Sequence, residues 1–264
     1  MKLPGATQRE KIVIRPDFAP LLEHIGFSGS WVFTSPHVVV WRKLADRENC
    51  TLDAKWPDGR DARLHIKRYP AASGATARDE ARGLEHLEKN QIPCPRLVAW
   101  GRMADGRGFV ATEDLAGFEP ADKLIARGTA FGDLLKPTAD LAARLHSAGL
   151  HHRDLYLCHF FCCDDGGEVQ AKLIDAARVR PLPGLLTRRR WIVKDLAQFW
   201  YSMTQLAISD PEQLRWLDRY VRMSKAGSKA SLLSAIRAKV RRIAVHDAKL
   251  NRREPGRNVS IPTS

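Results

Sequence analysis

The stretch His151-His152-Arg153-Asp154-Leu155-Tyr156-Leu157-Cys158-His159-Phe160, followed by Leu173-Ile174-Asp175-Ala176-Ala177-Arg178, decides how this chain is read. One Asp stands on a polar loop, strand-forming residues follow, and a second Asp ends an apolar run. The spacing of Asp154 and Asp175 is what a hairpin needs to bring two carboxylates to one place. Upstream, Pro137 to Ala148 predicts a helix with Thr138 as cap, Gly149 as stop, and Leu141, Leu145 and Ala148 as its apolar stripe. Downstream, Arg178, Arg180 and Arg188-Arg189-Arg190 stand among Pro181, Pro183 and Gly184, which predicts a cationic loop. Val193 to Gln205 then predicts an apolar helix carrying Asp195 near its start.

His152-Arg153-Asp154-Leu155 matches the front of the protein-kinase catalytic loop, H-R-D-L-x-x-x-N. His159 stands at the Asn position, and Asp175-Ala176-Ala177 replaces Asp-Phe-Gly. The pieces His152 to Phe160, Ile174 to Arg178 and Arg190-Trp191-Ile192-Val193-Lys194-Asp195-Leu196 together resemble the lipopolysaccharide core kinases, the Kdo/heptose kinase family. The resemblance is strong over 150–205 and fair over 60–115. It implies an α+β, two-lobed protein-kinase-like fold, with an antiparallel-sheet N-lobe and a mainly helical C-lobe. It implies transfer of phosphate from ATP to a sugar hydroxyl of a lipopolysaccharide core glycolipid, with Mg²⁺ as the accompanying metal. On that footing Asp154 orients the acceptor hydroxyl and takes its proton, and Asp175 chelates Mg²⁺ on the nucleotide phosphates. His159 stands where a second ligand normally does. Imidazole is a poorer ligand for Mg²⁺ than an amide oxygen, so either His159 contacts phosphate or acceptor, or a single metal dominates. Arg178, Arg188, Arg189 and Arg190 occupy the place where kinases bind the acceptor, and Asp195 is expected to be buried against the catalytic-loop backbone.

Further upstream, His37 to Arg42, Cys50 to Ala54 and Ala62 to Tyr69 read as antiparallel strands, the last two joined through the turn Pro57-Asp58-Gly59. Where a protein kinase has a glycine-rich loop, Lys43 to Asn49 has no glycine, so phosphate contact falls to Lys43 or Arg47. Lys67 ends an alternating strand and resembles the strand lysine that clamps the nucleotide phosphates. A helix over Thr76 to Asn90 opens on Thr76-x-x-Asp79 and buries Ala77, Ala81, Leu84 and Leu87. Glu80 lies at the edge of that stripe, and a carboxylate there needs a cation. Lys67 is one partner; Arg82 or Lys89 at the surface is the other reading. Cys94 to Gly101 and Gly108 to Leu115 complete a five-stranded small lobe. Glu113, within Thr112-Glu113-Asp114, takes the position of the linker whose backbone binds adenine.

The 264 residues, 44% hydrophobic and 28% charged, suit one domain or two lobes with a sizeable core. A net charge of +13 attracts polyanions, here an anionic glycolipid acceptor and an anionic membrane surface, with no nucleic acid expected. The five cysteines include the vicinal pair Cys162 and Cys163 and form no disulfide framework; Cys158, His159, Cys162 and Cys163 lack the second half of a zinc motif. Met1 to Glu10 has no signal-peptide core and no apolar run could span a bilayer, so the expectation is cytoplasmic, at most peripheral on the inner membrane. The expected division is a 1–35 extension, a 36–115 N-lobe, a 116–250 C-lobe and a 251–264 flexible basic tail. The C-lobe includes a helix capped by Asp210 and a last one over Ser231 to Lys249. Two other functions fit the same pattern: a protein or small-molecule kinase of this fold, and a non-catalytic polyanion-binding pseudokinase. Joint retention of Lys67, Glu80, Asp154 and Asp175 argues against the pseudokinase.

Overall fold

A computed structural model describes residues 9–224 and 227–253. The chain divides into two compact units: the described residues up to Glu85 with Pro95–Ala116, and His86–Cys94 with the described residues from Gly117 onward.

The first unit is built from β1 (Lys11–Ile14), α1 (Ala19–His24), α2 (Trp31–Thr34), β2 (Val39–Lys43), β3 (Glu48–Lys55), β4 (Asp61–Tyr69), α3 (Ala75–Lys89) as far as Glu85, β5 (Leu97–Arg102) and β6 (Gly108–Glu113). Its strands form one antiparallel sheet in the order β1-β5-β6-β4-β3-β2. Alternation buries Leu64 and Ile66 of β4 on the face that also takes Leu52, Phe109, Phe18, Leu21 and Val32. The β3–β4 turn closes through Gly59 at φ +87°, with the Trp56 N–H donating to Arg60 O at 2.8 Å. The sheet has six strands rather than five. Lys11–Ile14, read from sequence as part of an extension, pairs with β5 from Lys11↔Arg102 to Ile14↔Ala99. A three-residue apolar run, Ile12 to Ile14, is too short for its period to announce a strand. The β2–β3 connection is a tight hairpin, closed by Leu44 N–H to Arg47 O at 2.8 Å. The start of α3 lies directly on the β5–β6 turn: a Cβ at Gly74 would collide with Gly106 O, and one at Gly108 with Gly74 O. That close approach fixes where α3 runs over β4.

The second unit contains β7 (Glu119–Pro120), α4 (Ala121–Ala126), α5 (Phe131–Ser147), β8 (Leu150–His151), β9 (Phe160–Asp165), β10 (Glu168–Leu173), β11 (Arg180–Pro181), α6 (Leu185–Gln205), α7 (Asp210–Ser224) and α8 (Lys229–Arg253). The hairpin β9–β10 runs from Asp165↔Glu168 to Phe160↔Leu173, and Ile174 N–H reaches His159 O at 3.0 Å. The two halves of the opening stretch are therefore neighbours. Phe199 stacks on Trp216 at 4.2 Å and Trp216 on Tyr220 at 5.9 Å, at the centre of α5, α6 and α7.

Four helix boundaries differ from expectation. Helix α5 starts well before Pro137, because Phe131 and Leu134 extend the buried stripe of Leu141 and Leu145 backward. Thr138 is therefore no cap: its hydroxyl donates to Leu134 O at 2.7 Å and accepts the Trp216 indole N–H at 3.0 Å. Helix α6 begins directly after Gly184, so Arg188, Arg189 and Arg190 are helical and the loop ends earlier; nothing between Gly184 and Trp191 breaks a helix. Before α7 the cap is Ser209, whose hydroxyl bonds Glu212 at 2.6 Å, while the Gln213 amide turns back to Ile208 O at 2.7 Å. Helix α8 runs on through Arg253, taking in Asn251 to Arg253 of the expected flexible tail. The rest of that tail, and residues 1–8 of the expected extension, lie outside the described residues.

Candidate active site

In the first unit, β4 directs Lys67 toward α3, and its Nζ stands 2.5 Å from Glu80 Oε1. The Tyr69 hydroxyl donates to the other carboxylate oxygen. Glu80 is 4% exposed, so the lysine and the phenol together supply what the carboxylate loses in leaving water. Glu113 lies on β6 opposite Leu64. Its N–H donates to Arg96 O at 3.0 Å and that of Asp114 to Arg63 O at 3.0 Å, so both amides are engaged within their own unit.

In the second unit the loop after β8 turns sharply. Arg153 has φ +69° and Asp175 φ +58°, a left-handed conformation that costs an arginine more than an aspartate. One face of α6 holds the loop in place. Asp195, fully buried, accepts the backbone N–H of His152 at 2.7 Å and of Arg153 at 2.8 Å. The Gln198 carbonyl accepts Leu155 N–H at 3.2 Å, and Ser202 Oγ accepts Leu157 N–H at 3.2 Å. Lys194 and the Gln198 amide both donate to Arg153 O, at 2.5 and 3.2 Å. Residues 191, 194, 195, 198 and 202 recur at helical spacing, so a single stripe meets the loop along its length. Burial works against the Asp195 charge, but the His146 ring and the loop amides overcome it and hold the carboxyl below its usual range. His146 is itself fixed by Tyr220, at 2.8 Å.

Asp154, His159 and Asp175 converge, with one ligand atom of each lying within 4.8 Å of the others. The Gln198 amide donates to Asp154 Oδ1 at 3.3 Å, which orients the carboxylate. His159 Nδ1 is 2.6 Å from Asp154 O and must carry a proton there, since a carbonyl only accepts. Nε2 then points at Asp175 Oδ2, 3.6 Å away. A bare lone pair facing a carboxylate is unfavourable, so the ring is held protonated. Burial opposes this, yet Cys158, Asp175 and Asp154 outweigh it and lift the His159 pKa to about 10. Two carboxylates suit a hard cation such as Mg²⁺; the imidazole joins only by releasing its Nε2 proton.

The expected acceptor residues are distributed differently from one another. Arg178 is exposed at the end of the short 3-10 turn that follows Asp175. Arg188 gives Nη2 to His146 O at 3.1 Å, and Arg189 binds the Ser231 carbonyl and hydroxyl at 3.1 and 2.8 Å. Arg190 lies over the Trp191 ring. Sequence reasoning missed Gln198, Ser202 and His146. The signal that could have found the first two is their spacing from Asp195 on a helix otherwise apolar.

The model of the lipopolysaccharide kinase (Kdo/WaaP) family matches residues 40–220. The lipopolysaccharide core heptose(I) kinase WaaP of Pseudomonas aeruginosa is 26% identical over 166 residues, covering 55% of this chain and 59% of that one. The WaaP of Escherichia coli K12 is 26% identical over 161 residues, covering 55% and 54%. The chain thus spans under two thirds of the length of these relatives. Among solved structures, WaaP in complex with acyl carrier protein aligns with TM-score 0.64 at 22% identity, over 88% of this chain and 98% of that one. An aminoglycoside-3'-phosphotransferase of type VIII aligns with TM-score 0.54 at 18% identity, over 84% and 98%. Both likenesses establish the protein-kinase-like fold that the sheet and the helical unit express. With the family model covering well over half its residues, including the loop, the hairpin and the helix that brace the three converging side chains, the chain belongs to the lipopolysaccharide kinase (Kdo/WaaP) family.

Proposed function

We propose that the protein transfers a phosphoryl group from ATP to a sugar hydroxyl, heptose- or Kdo-like, of a lipopolysaccharide core glycolipid. The observation that carries this reading is the convergence of Asp154, His159 and Asp175 on a loop held by α6, in a chain of this family. Phosphoryl transfer asks for positioning and charge neutralisation more than for covalent help. Asp154 orients the acceptor hydroxyl and takes its proton, with Gln198 fixing the rotamer of the acid. Asp175 anchors Mg²⁺, which neutralises charge on the nucleotide phosphates when bound, and His159 flanks it as a further ligand or as a cation beside phosphate. Lys67, set by Glu80, binds nucleotide phosphate, and the strand end at Glu113 receives adenine. Arg178 and Arg188 to Arg190 supply positive potential for the acceptor. The protein works in the cytoplasm, and the cationic face of α8 holds it peripherally to an anionic membrane surface. In support, no helix among the described residues is long and apolar enough to cross a membrane.

Two variants test the division of labour between the acids. Asp154→Asn should bind Mg²⁺-ATP as wild type does while transfer falls by about 10²–10⁴-fold, the usual worth of a general base. Asp175→Asn should lose nucleotide binding itself. Calorimetric titration with Mg²⁺-ATP, beside transfer of labelled phosphate to purified core glycolipid, reads both. Equal loss of binding in the two variants contradicts the assignment.

A further inference from the structure

Trp191 stands one turn before Asp195 on α6, and three cations gather at its indole. The Arg153 guanidinium lies 4.9 Å from the ring centroid, the Lys194 ammonium 5.7 Å and the Arg190 guanidinium 5.8 Å. Arg178 lies two residues before Arg180, which pairs with His151 across β11 and β8, and the Arg178 charge joins burial in lowering the Lys194 pKa. His151 packs on the same ring, at 4.8 Å, and burial keeps it neutral, with a pKa of about 4. Asp195 is committed to the loop amides. Among the described residues none of Arg153, Arg178, Arg190 and Lys194 forms an ion pair. Arg153 Nε is buried with no hydrogen-bond partner.

The Asp195 and Asp154 carboxylates act on Lys194 through space, but the four cations outnumber them, and burial and the other cations still hold the Lys194 pKa down. A cation over an indole gains about 0.5–2 kcal/mol. Like charges gathered at one ring also repel one another, and solvent screens the exposed Arg178 and Arg190 more than Arg153 and Lys194. What relieves them is an anion with several oxygens, since guanidinium forks grip phosphate or carboxylate in pairs of bonds. We propose that Arg153, Arg178, Arg190 and Lys194 form an oxyanion site beside Trp191 that seats an anionic substituent, phosphate or carboxylate, carried by the acceptor. The assignment to the acceptor rests on the proposed kinase function. Arg153 precedes Asp154 in the chain, and Lys194 and Gln198 bind the same Arg153 carbonyl. An anion seated here therefore fixes the molecule that carries it beside the acid that takes the hydroxyl proton. The site selects acceptors with a charged group close to the hydroxyl and disfavours neutral sugars.

Inorganic phosphate is the probe, titrated in the presence of saturating Mg²⁺-ADP so that the nucleotide site is filled. Wild-type protein should show a saturable change in tryptophan fluorescence that is missing from Trp191→Phe. In the double variant Arg178→Gln/Arg190→Gln, where both side chains are exposed, half-saturation should need roughly tenfold more phosphate, equivalent to 1.4 kcal/mol. The same variant should raise the KM for core glycolipid by about tenfold and leave that for ATP unchanged. Absence of a saturable response, or one the double variant does not weaken, overturns the site. Weakened phosphate binding with an unmoved glycolipid KM overturns its assignment to the acceptor. A chain that phosphorylates no glycolipid at all sinks the proposed function instead, and the phosphate titration then decides the site by itself.

Discussion

The side chain on which most of the site depends is Asp195, although it touches no reacting group in the proposed chemistry. Its two oxygens hold consecutive amides at the turn where Arg153 adopts φ +69°, so the carboxylate supports a backbone that is unfavourable without it. Asp195→Asn keeps the shape but turns an NH₂ group toward a buried N–H. The expected loss of stability is about 3–5 kcal/mol, as for one partner removed from a buried charged network, read from the urea midpoint. The depressed carboxyl also carries a pH signature. Its folded pKa lies below the ordinary 3.8, so its contribution is complete above that value and is lost as pH falls through the folded one. Histidines add an earlier acid limb. Burial holds His65 and His151 near pKa 4 in the folded chain, against 6.5 when unfolded. The unfolded chain then binds more protons as pH falls from about 6.5 to 4, and stability drops with it. His65→Gln should flatten the urea midpoint plotted against pH in that window; an unchanged slope would count against a neutral, half-buried ring. Of these residues, Asp195 and Lys194 were legible in the sequence as part of a composite pattern. Gln198 was legible only through Asp195, whose helical face it shares; nothing in its spacing from Asp154 shows which group of the loop it bonds.

Whole elements were legible where pattern and packing agree and illegible where packing overrides pattern. The hairpin β9–β10 could be read from the spacing of the two acids, and the α3 stripe that places Glu80 from its helical period and its opening Thr76-x-x-Asp79. Helix α5 defeats the proline rule because Phe131 and Leu134 continue its buried face through Pro137, and Trp216 meets the Thr138 hydroxyl from α7. Only the tertiary fold supplies that partner. The exchange is testable. Thr138→Val keeps the volume and leaves the indole N–H of fully buried Trp216 without an acceptor, which should cost about 1–3 kcal/mol. A thermal melt unchanged from wild type would mean that the indole finds another partner. Similarly, α6 was read from Val193 onward because its first turns are arginine-rich. Those arginines bond His146 O and Ser231, contacts that tie α6 to the ends of α5 and α8.

At the scale of the whole molecule, the charge of +13 is concentrated rather than spread. Helix α8 carries Arg237, Lys239, Arg241, Arg242, Lys249, Arg252 and Arg253, and its one acid, Asp247, is bonded to the Tyr201 hydroxyl at 2.7 Å. Leu232 and Ile236 bury the other side of the helix, leaving Arg237, Arg241, Arg242 and Lys249 exposed, with Val245 72% exposed among them. The composition alone announced a polyanion partner; it could not say that the charge faces one way, because that depends on which side of α8 meets α6. A cationic face with an exposed aliphatic suits the surface of an anionic bilayer, where each basic residue is worth about 1 kcal/mol. The proposed peripheral association then makes a quantitative prediction. Wild-type protein should sediment with vesicles containing phosphatidylglycerol, not with neutral phosphatidylcholine vesicles, and should be released as salt shrinks the Debye length below about 10 Å. Arg241→Glu/Arg242→Glu/Lys249→Glu reverses three charges on that face without touching Asp154, Asp175 or Trp191. Vesicle affinity should fall by roughly a hundredfold or more at low salt, while the circular dichroism melt and the phosphate titration stay as in wild type. If the triple variant sediments with anionic vesicles as well as wild type does, α8 is a solvated face and the charge serves solubility rather than docking.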